Sequence, residues 1–286
     1  MKHVGIDIGG TKIESVVIES DGNVQIRERV LTEREKGYAH IIKQISSLHK
    51  KLAFYLEDDF SLGVCVPGPL DDMRDKMKQS NTQVLVGKSL KNDIEAIFDK
   101  TPILENDANC FTQAEASLGV GKNMKVVFGI ILGTGVGGGI SIDGKIYKGK
   151  QYLAGEWGHS VLHPDGKKCL CGKKGCVEQY LSGIALEKLY YDMTGHSASV
   201  TDIAKNPPAE WKKELLNNFG IALSNIINIL DPEIIVIGGG VSKVDFLYTD
   251  GLKFVKRYCL DKNCKTPIVK NTMGDSAGVF GAAYLS

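Results

Sequence analysis

Two stretches of this chain follow one plan, and that repetition limits its possible folds more than any other feature. "HVGIDIGGTKIESVVIESDGNVQIRERVLT", from His3 to Thr32, reads as a strand, a glycine turn at Gly9-Gly10, a strand, a polar turn and a third strand. "KVVFGIILGTGVGGGISIDGKIYKG", residues 125–149, runs through the same succession. Two such starts imply an α/β fold of duplicated lobes with a cleft between them. The intervening segments supply the helices. Ile41, Ile45, Leu48 and Leu52 recur at intervals of three and four within a helical stretch from Tyr38 to Leu56. "LKNDIEAIF", "ANCFTQAEASLG", "WKKELLNNFGIALSNIINIL" and "SAGVFGAAYL" read as further helices, and "SLGVCV", "TPILEND" and "DPEIIVIGGG" as buried strands. The expected division is a smaller lobe over 1–115, completed by a terminal helix at about 275–286, and a larger lobe over 116–274.

At 286 residues the chain can bury a substantial core in each lobe. Its formal net charge of +1 gives no support to a nucleic-acid or membrane-surface partner. Polar and glycine residues interrupt the first apolar run before a signal segment builds up, and no stretch reaches the roughly 18 apolar residues of a membrane span. The expected compartment is therefore the cytoplasm, where seven cysteines read as reduced thiols and metal ligands, not disulfides.

Glycines at a strand-to-strand turn let backbone N–H groups approach an anion closely. In "GIDIGGTK", Gly9 and Gly10 form such a turn, Thr11 and Lys12 add a hydroxyl and a positive charge, and Asp7 stands where Mg²⁺ beside a polyphosphate would be held. A tight hairpin with a surface lysine explains the same residues. "LGTGVGGG" favours phosphate, with Gly133, Gly135, Gly137 and Gly138 around Thr134, since five glycines in eight positions are costly for a mere hairpin. Neither turn has Walker A spacing, and no helix follows the second as a dinucleotide fingerprint requires. A third glycine run containing Gly239 and Gly240 follows the strand "EIIVI". Together the three turns point to a nucleotide.

"ENDANC" puts Asn106 and Asp107 where a strand gives way to a helix. Asp107 either caps that helix or accepts the proton of an alcohol during phosphoryl transfer. Asn106 beside it offers both a donor and an acceptor to a hydroxyl. Downstream, Cys169, Cys171 and Cys176 fall within eight positions, ten residues or more after His159. Three thiolates and one imidazole form a closed four-coordinate set typical of structural zinc, with His163 a competing ligand. The set is either a loop staple or a brace that aims Glu156 and Glu178 at a substrate.

These segments, with "GEWGH", "CLCGKKGCVE" and "DPEIIVIGGG", strongly resemble the ROK family of bacterial sugar kinases and repressors in the hexokinase/actin-like ATPase superfamily. The resemblance runs from end to end and implies two ribonuclease-H-like lobes with an interlobe active-site cleft. It implies Asp107 as catalytic base and Asn106, Glu156, His159 and Glu178 as sugar-hydroxyl ligands. ATP phosphates would lie at Gly9-Gly10 and at Gly133 to Gly139, with adenosine near Gly238 to Gly240. His159, Cys169, Cys171 and Cys176 would bind structural Zn²⁺, and Mg²⁺ would accompany ATP. The family also implies a homodimer. Its repressors carry a helix-turn-helix before the first phosphate strand; here Asp7 is seven residues from the beginning, so the expectation is an enzyme. A sugar-sensing protein without turnover is the non-enzymatic alternative.

Acceptor identity divides the motifs. "NDANCF" and "LGTGVGGG" resemble the family's N-acetylglucosamine kinases, whereas "AGEWGH" and "SKVDFLY" resemble its fructokinases. The expectation leans to a plain hexose (fructose, mannose or glucose) phosphorylated at C6, with N-acetylglucosamine or N-acetylmannosamine as the alternative. Asn81 in "SNTQVLVGK" is a further expected sugar contact, although Val84 and Val86 depart from the fructokinase pattern.

Overall fold

A computed structural model describes residues 1–56, 59–68, 70, 76–77 and 82–285. In chain order it contains β1 (Lys2–Ile8), β2 (Lys12–Glu19), β3 (Val24–Leu31), α1 (Tyr38–Leu52), β4 (Phe60–Val66), α2 (Leu90–Phe98), β5 (Ile103–Asn106) and α3 (Asp107–Ser117). Then come β6 (Val126–Leu132), β7 (Val136–Ile142), β8 (Lys145–Ile146), α4 (Glu178–Leu181), α5 (Gly183–Thr194), α6 (Val200–Ile203) and α7 (Ala209–Leu230). The remainder is β9 (Ile234–Gly238), α8 (Asp250–Tyr258), β10 (Ile268–Lys270) and α9 (Ala277–Ala283). Two compact units result. The first comprises 1–123, 144–152 and 273–286, and the second 124–143 and 153–272.

The two sheets share one strand order. The first runs β3-β2-β1-β4-β5 and the second, read from its other edge, β8-β7-β6-β9-β10. In each, a hairpin with a glycine turn (β1/β2, β6/β7) opens the sheet, and a later strand (β4, β9) pairs parallel with the hairpin's first strand. The duplication expected from the two starts is thus present in the topology. No helix among the described residues is long and apolar enough to cross a membrane.

In the first unit, α1 turns Ile41, Ile45, Leu48 and Leu52 into a core with Val4, Ile6, Ile8 and Ile13. The helix ends at Leu52, and a 3-10 turn over Ala53–Tyr55 completes the helical stretch. α9 packs on β1 and β4 through paired glycines, Gly5 and Gly63, which face each other across the strands. A Cβ on Gly63 would stand 1.9 Å from the Ala282 carbonyl oxygen, and one on Gly5 2.1 Å from that of Val279. The second unit builds its core on α7, whose Trp211, Leu215, Phe219 and Leu223 meet the wholly buried β9. The Trp211 indole N–H donates to the Leu186 carbonyl at 2.9 Å, which anchors α5 on α7.

The register places chemistry at one end of the first sheet. Asp7 of β1 is level with Cys65 of β4, and Val66 is level with Asn106 of β5. Asp7, Asn106 and the following Asp107 therefore sit at the carboxyl ends of parallel strands, where α/β sheets characteristically bind ligands. Gly63→Ala should test the close approach of α9. It is expected to cost about 1–3 kcal/mol or more from overpacking, read as a lower urea midpoint at unchanged m-value. A wild-type midpoint would show that α9 yields freely.

Candidate active site

The first glycine turn is closed and braced by the backbone. The Gly9 N–H donates to the Lys12 carbonyl at 2.9 Å, leaving the amides of Gly10 and Thr11 at the tip. Thr32, fully buried just beyond β3, donates its hydroxyl to the Gly9 carbonyl at 2.7 Å and its N–H to the Thr11 carbonyl at 3.0 Å. No local sequence signal marks this threonine as part of the turn. Its role comes from the position where β3 ends beside β2.

Lys12 and Glu14 share one face of β2. The Lys12 ammonium lies 3.4 Å from a Glu14 carboxylate oxygen, and Arg29 reaches that oxygen at 2.9 Å. Arg27 bridges Glu14 and Ser276. Burial pushes the Glu14 carboxyl up, but hydrogen bonds from Arg27 and Arg29 and the charges of Arg27 and Lys12 bring it net below the ordinary value.

Asp7 is pushed up to about 6, mainly by burial; a thiol hydrogen bond from Cys65 opposes this and the charge of Asp107 adds to it. Asp107 is the first residue of α3, and one of its oxygens accepts the Ala108 N–H at 2.9 Å. Its side chain keeps contact with solvent, so the desolvation that raises its pKa is local crowding, and backbone N–H groups partly offset it. Asn106 caps α3 through its carbonyl oxygen, which accepts the Asn109 N–H at 2.8 Å. That leaves the amide hydrogens of Asn106 for a ligand. Buried Glu105 fixes the junction by accepting the Asn106 N–H at 3.1 Å and the Asn109 side-chain amide at 3.0 Å. Two carboxylates this close, both raised toward neutrality, are suited to a divalent cation, so Asp7 fits Mg²⁺.

In the second unit, Gly133 donates its N–H to the Gly135 carbonyl at 3.0 Å, leaving the amides of Thr134 and Gly135 at that tip. Glu178, at the start of α4, accepts the Val136 N–H at 3.0 Å, and a Cβ on Gly135 would stand 2.7 Å from the same oxygen. One Glu178 oxygen therefore holds the turn. Gly137 accepts the Trp157 indole N–H at 3.0 Å, and a Cβ on Gly138 would meet that ring at 2.5 Å. Gly239, at φ +84°, lies where a Cβ would fall 2.4 Å from the Leu132 carbonyl oxygen, with Gly240 exposed beside it. The second and third glycine turns thus abut. Glu156 is half-buried and accepts the backbone N–H of His159 through its own carbonyl at 3.2 Å.

His159, Cys169, Cys171 and Cys176 converge, with ligand atoms all within 4.8 Å of one another. The His159 Nδ1 to Cys169 Sγ and Cys171 Sγ to Cys176 Sγ separations are both 3.6 Å. A zinc tetrahedron with ordinary Zn–S and Zn–N lengths has edges of about 3.6 to 3.8 Å, so the donor set fits that ion. His163 is excluded from it: its Nε2 pairs with Asn218 Oδ1 at 2.8 Å and its ring packs on Tyr180. Cys65, Cys110 and Cys259 are buried elsewhere and Cys264 is half-buried. Asn81 lies outside the described residues.

The ROK family model matches residues 3–286. The chain belongs to the ROK family. An N-acetyl-D-glucosamine kinase of Vibrio atlanticus is 34% identical over 300 residues, covering 99% of both chains. One of Photobacterium profundum is 35% identical over 301 residues with the same coverage. Among solved structures, a ROK hexokinase from Thermus thermophilus matches with TM-score 0.88 and 26% identity over 99% of this chain and 97% of that one. A ROK glucokinase from Streptomyces griseus, in complex with glucose and AMPPNP, matches with TM-score 0.77 and 28% identity over 99% and 98%. The two-lobed actin-like ATPase fold expected of a ROK protein is consistent with both.

The raised Asp7 has a measurable consequence in the nucleotide- and metal-free ROK protein. An aspartate in the unfolded chain titrates near 3.9, against about 6 when folded. Between those values the folded state binds more protons, so stability falls as pH rises. Asp7→Asn removes this penalty, and its melting temperature relative to wild type should rise across that interval and level off above it. A gap constant from about pH 4 to pH 7 would refute the shift.

Proposed function

We propose that this ROK sugar kinase transfers the terminal phosphoryl group of ATP to the C6 hydroxyl of an N-acetylhexosamine, with N-acetyl-D-glucosamine the preferred acceptor. The observation that carries this is the full-length similarity to N-acetyl-D-glucosamine kinases, at 34–35% identity over 99% of each chain. The leaning toward a plain hexose gives way to the N-acetylhexosamine alternative on that ground. The ROK hexokinase and glucokinase structures, at 26% and 28% identity, support the plain-hexose reading less strongly.

In this reading the oxygen of Asp107 not held by Ala108 accepts the proton of the acceptor hydroxyl as the hydroxyl oxygen attacks the terminal phosphorus and ADP departs. Asn106 donates from its side-chain amide to a sugar hydroxyl while its carbonyl holds the helix start. Tip amides of the two glycine turns bind phosphate oxygens, preorganised because Thr32 and Glu178 fix the turns. Mg²⁺, when bound near Asp7, supplies charge neutralisation for the phosphates. His159 Nδ1 and the three thiolates would hold Zn²⁺, and His159 Nε2 would then be fixed as an N–H donor toward the sugar. Glu156 and the remaining Glu178 oxygen complete the set of sugar ligands.

ADP release over a panel of N-acetylglucosamine, N-acetylmannosamine, glucose, mannose and fructose tests the acceptor. The highest kcat/KM should belong to N-acetylglucosamine; a higher value for an unsubstituted hexose would return the assignment to the other class. Asp107→Asn should lower kcat by about 10²–10⁴-fold while nucleotide affinity is retained, and near-normal turnover would remove Asp107 from its role. Cys171→Ser should release the zinc, measured by metal analysis, and raise the sugar KM. Unchanged sugar kinetics after metal loss would separate the clip from the sugar site.

A further inference from the structure

Lys12 carries the positive charge that local sequence puts at the first glycine turn, but its side chain turns toward Glu14. Residues two apart on a strand share a face, and the Lys12 ammonium lies 3.4 Å from the buried Glu14 carboxylate. Arg27 and Arg29 meet the same carboxylate from β3, so Lys12 is one of three cations around it.

Arg34 occupies the place beside the turn. Its Nη1 stands 3.8 Å from where a Cβ on Gly10 would lie, and Thr82 Oγ1 stands 3.7 Å from the same point. Thr32, two residues earlier, binds the turn through both its hydroxyl and its N–H. Arg34 opens a 3-10 turn, Arg34–Lys36, flanked by residues of positive φ: Glu33 at 45° and Gly37 at 86°. A non-glycine residue in that region is uncommon, and such strain clusters at functional sites. The Glu33 carboxylate takes Lys36 at 2.5 Å and His40 at 2.9 Å. Asp7, three residues before Gly10, feels the charge of Asp107, which puts the acid end of the site at this same turn.

We propose that Arg34, not Lys12, is the cationic contact for the terminal phosphate of the nucleotide at the Gly9-Gly10 turn. The proposal rests on the kinase reading above. A guanidinium offers paired N–H donors that match two phosphate oxygens, while the amides of Gly10 and Thr11 approach from the backbone.

Titration calorimetry with AMPPNP and with ADP, on wild type, Arg34→Gln, Arg34→Lys and Lys12→Gln, tests it. Arg34→Gln should lose about tenfold or more in AMPPNP affinity, the scale of a charge-assisted hydrogen bond, with ADP affinity changed less than about threefold. Arg34→Lys should recover part of the loss, Lys12→Gln should lose less than Arg34→Gln, and the melting temperature of Arg34→Gln should match wild type. Equal losses for the two nucleotides, no loss for either, or a greater AMPPNP loss in Lys12→Gln overturns the proposal. Failure of the kinase reading is seen separately, as absent sugar-dependent ADP release by wild type. Normal wild-type turnover with unaltered discrimination in Arg34→Gln sinks the Arg34 assignment alone.

Discussion

Closing a β-hairpin over glycines leaves backbone amides at its tip, and the rest of this molecule is organised around two such tips. In β1/β2 the Gly9 amide is used to close the turn, and in β6/β7 the Gly133 amide is. The amides that follow, of Gly10 and Thr11 and of Thr134 and Gly135, lie at the tips of turns held by partners distant in sequence. An amide in this position can donate to solvent or to a ligand oxygen. Equal strand order in the two sheets puts each tip beside the carboxyl ends of parallel strands. In the first unit those ends carry Asp7, Asn106 and Asp107, and in the second the third glycine turn.

Charge in the first unit is segregated to match. Cations on β2 and β3 gather around buried Glu14, whereas at the strand ends burial raises the carboxyls of Asp7 and Asp107, and the charge of Asp107 adds to the shift of Asp7. A site of this kind stores unfavourable interactions that a bound cation or a transferred proton relieves. The cost is offset elsewhere, in the apolar contact of α9 against Gly5 and Gly63 and in the fully packed core beneath α1.

Periodicity and glycine placement made much of this legible before any coordinates. The four buried residues of α1, the span of α2, the β5–α3 junction at Asp107 and the cysteine cluster all follow from spacing over a few residues. Less was legible where the cause is a contact between distant positions. Arg27 meets Ser276 across 249 residues of chain, and nothing around Glu14 reveals that Arg27 and Arg29 of the next strand will converge on it. Thr32 looks like the end of a strand, although it braces the first glycine turn. Short elements such as α6 and β10, of four and three residues, carry too few positions to declare a period.

The account turns on the tip amides as phosphate ligands, and amide NMR of uniformly labelled protein titrated with Mg²⁺ and AMPPNP reads them directly. The predicted result is that Gly10, Thr11, Thr134 and Gly135 show the largest amide shifts and become protected from solvent exchange. Saturable nucleotide binding that leaves these four amides unmoved would contradict the account.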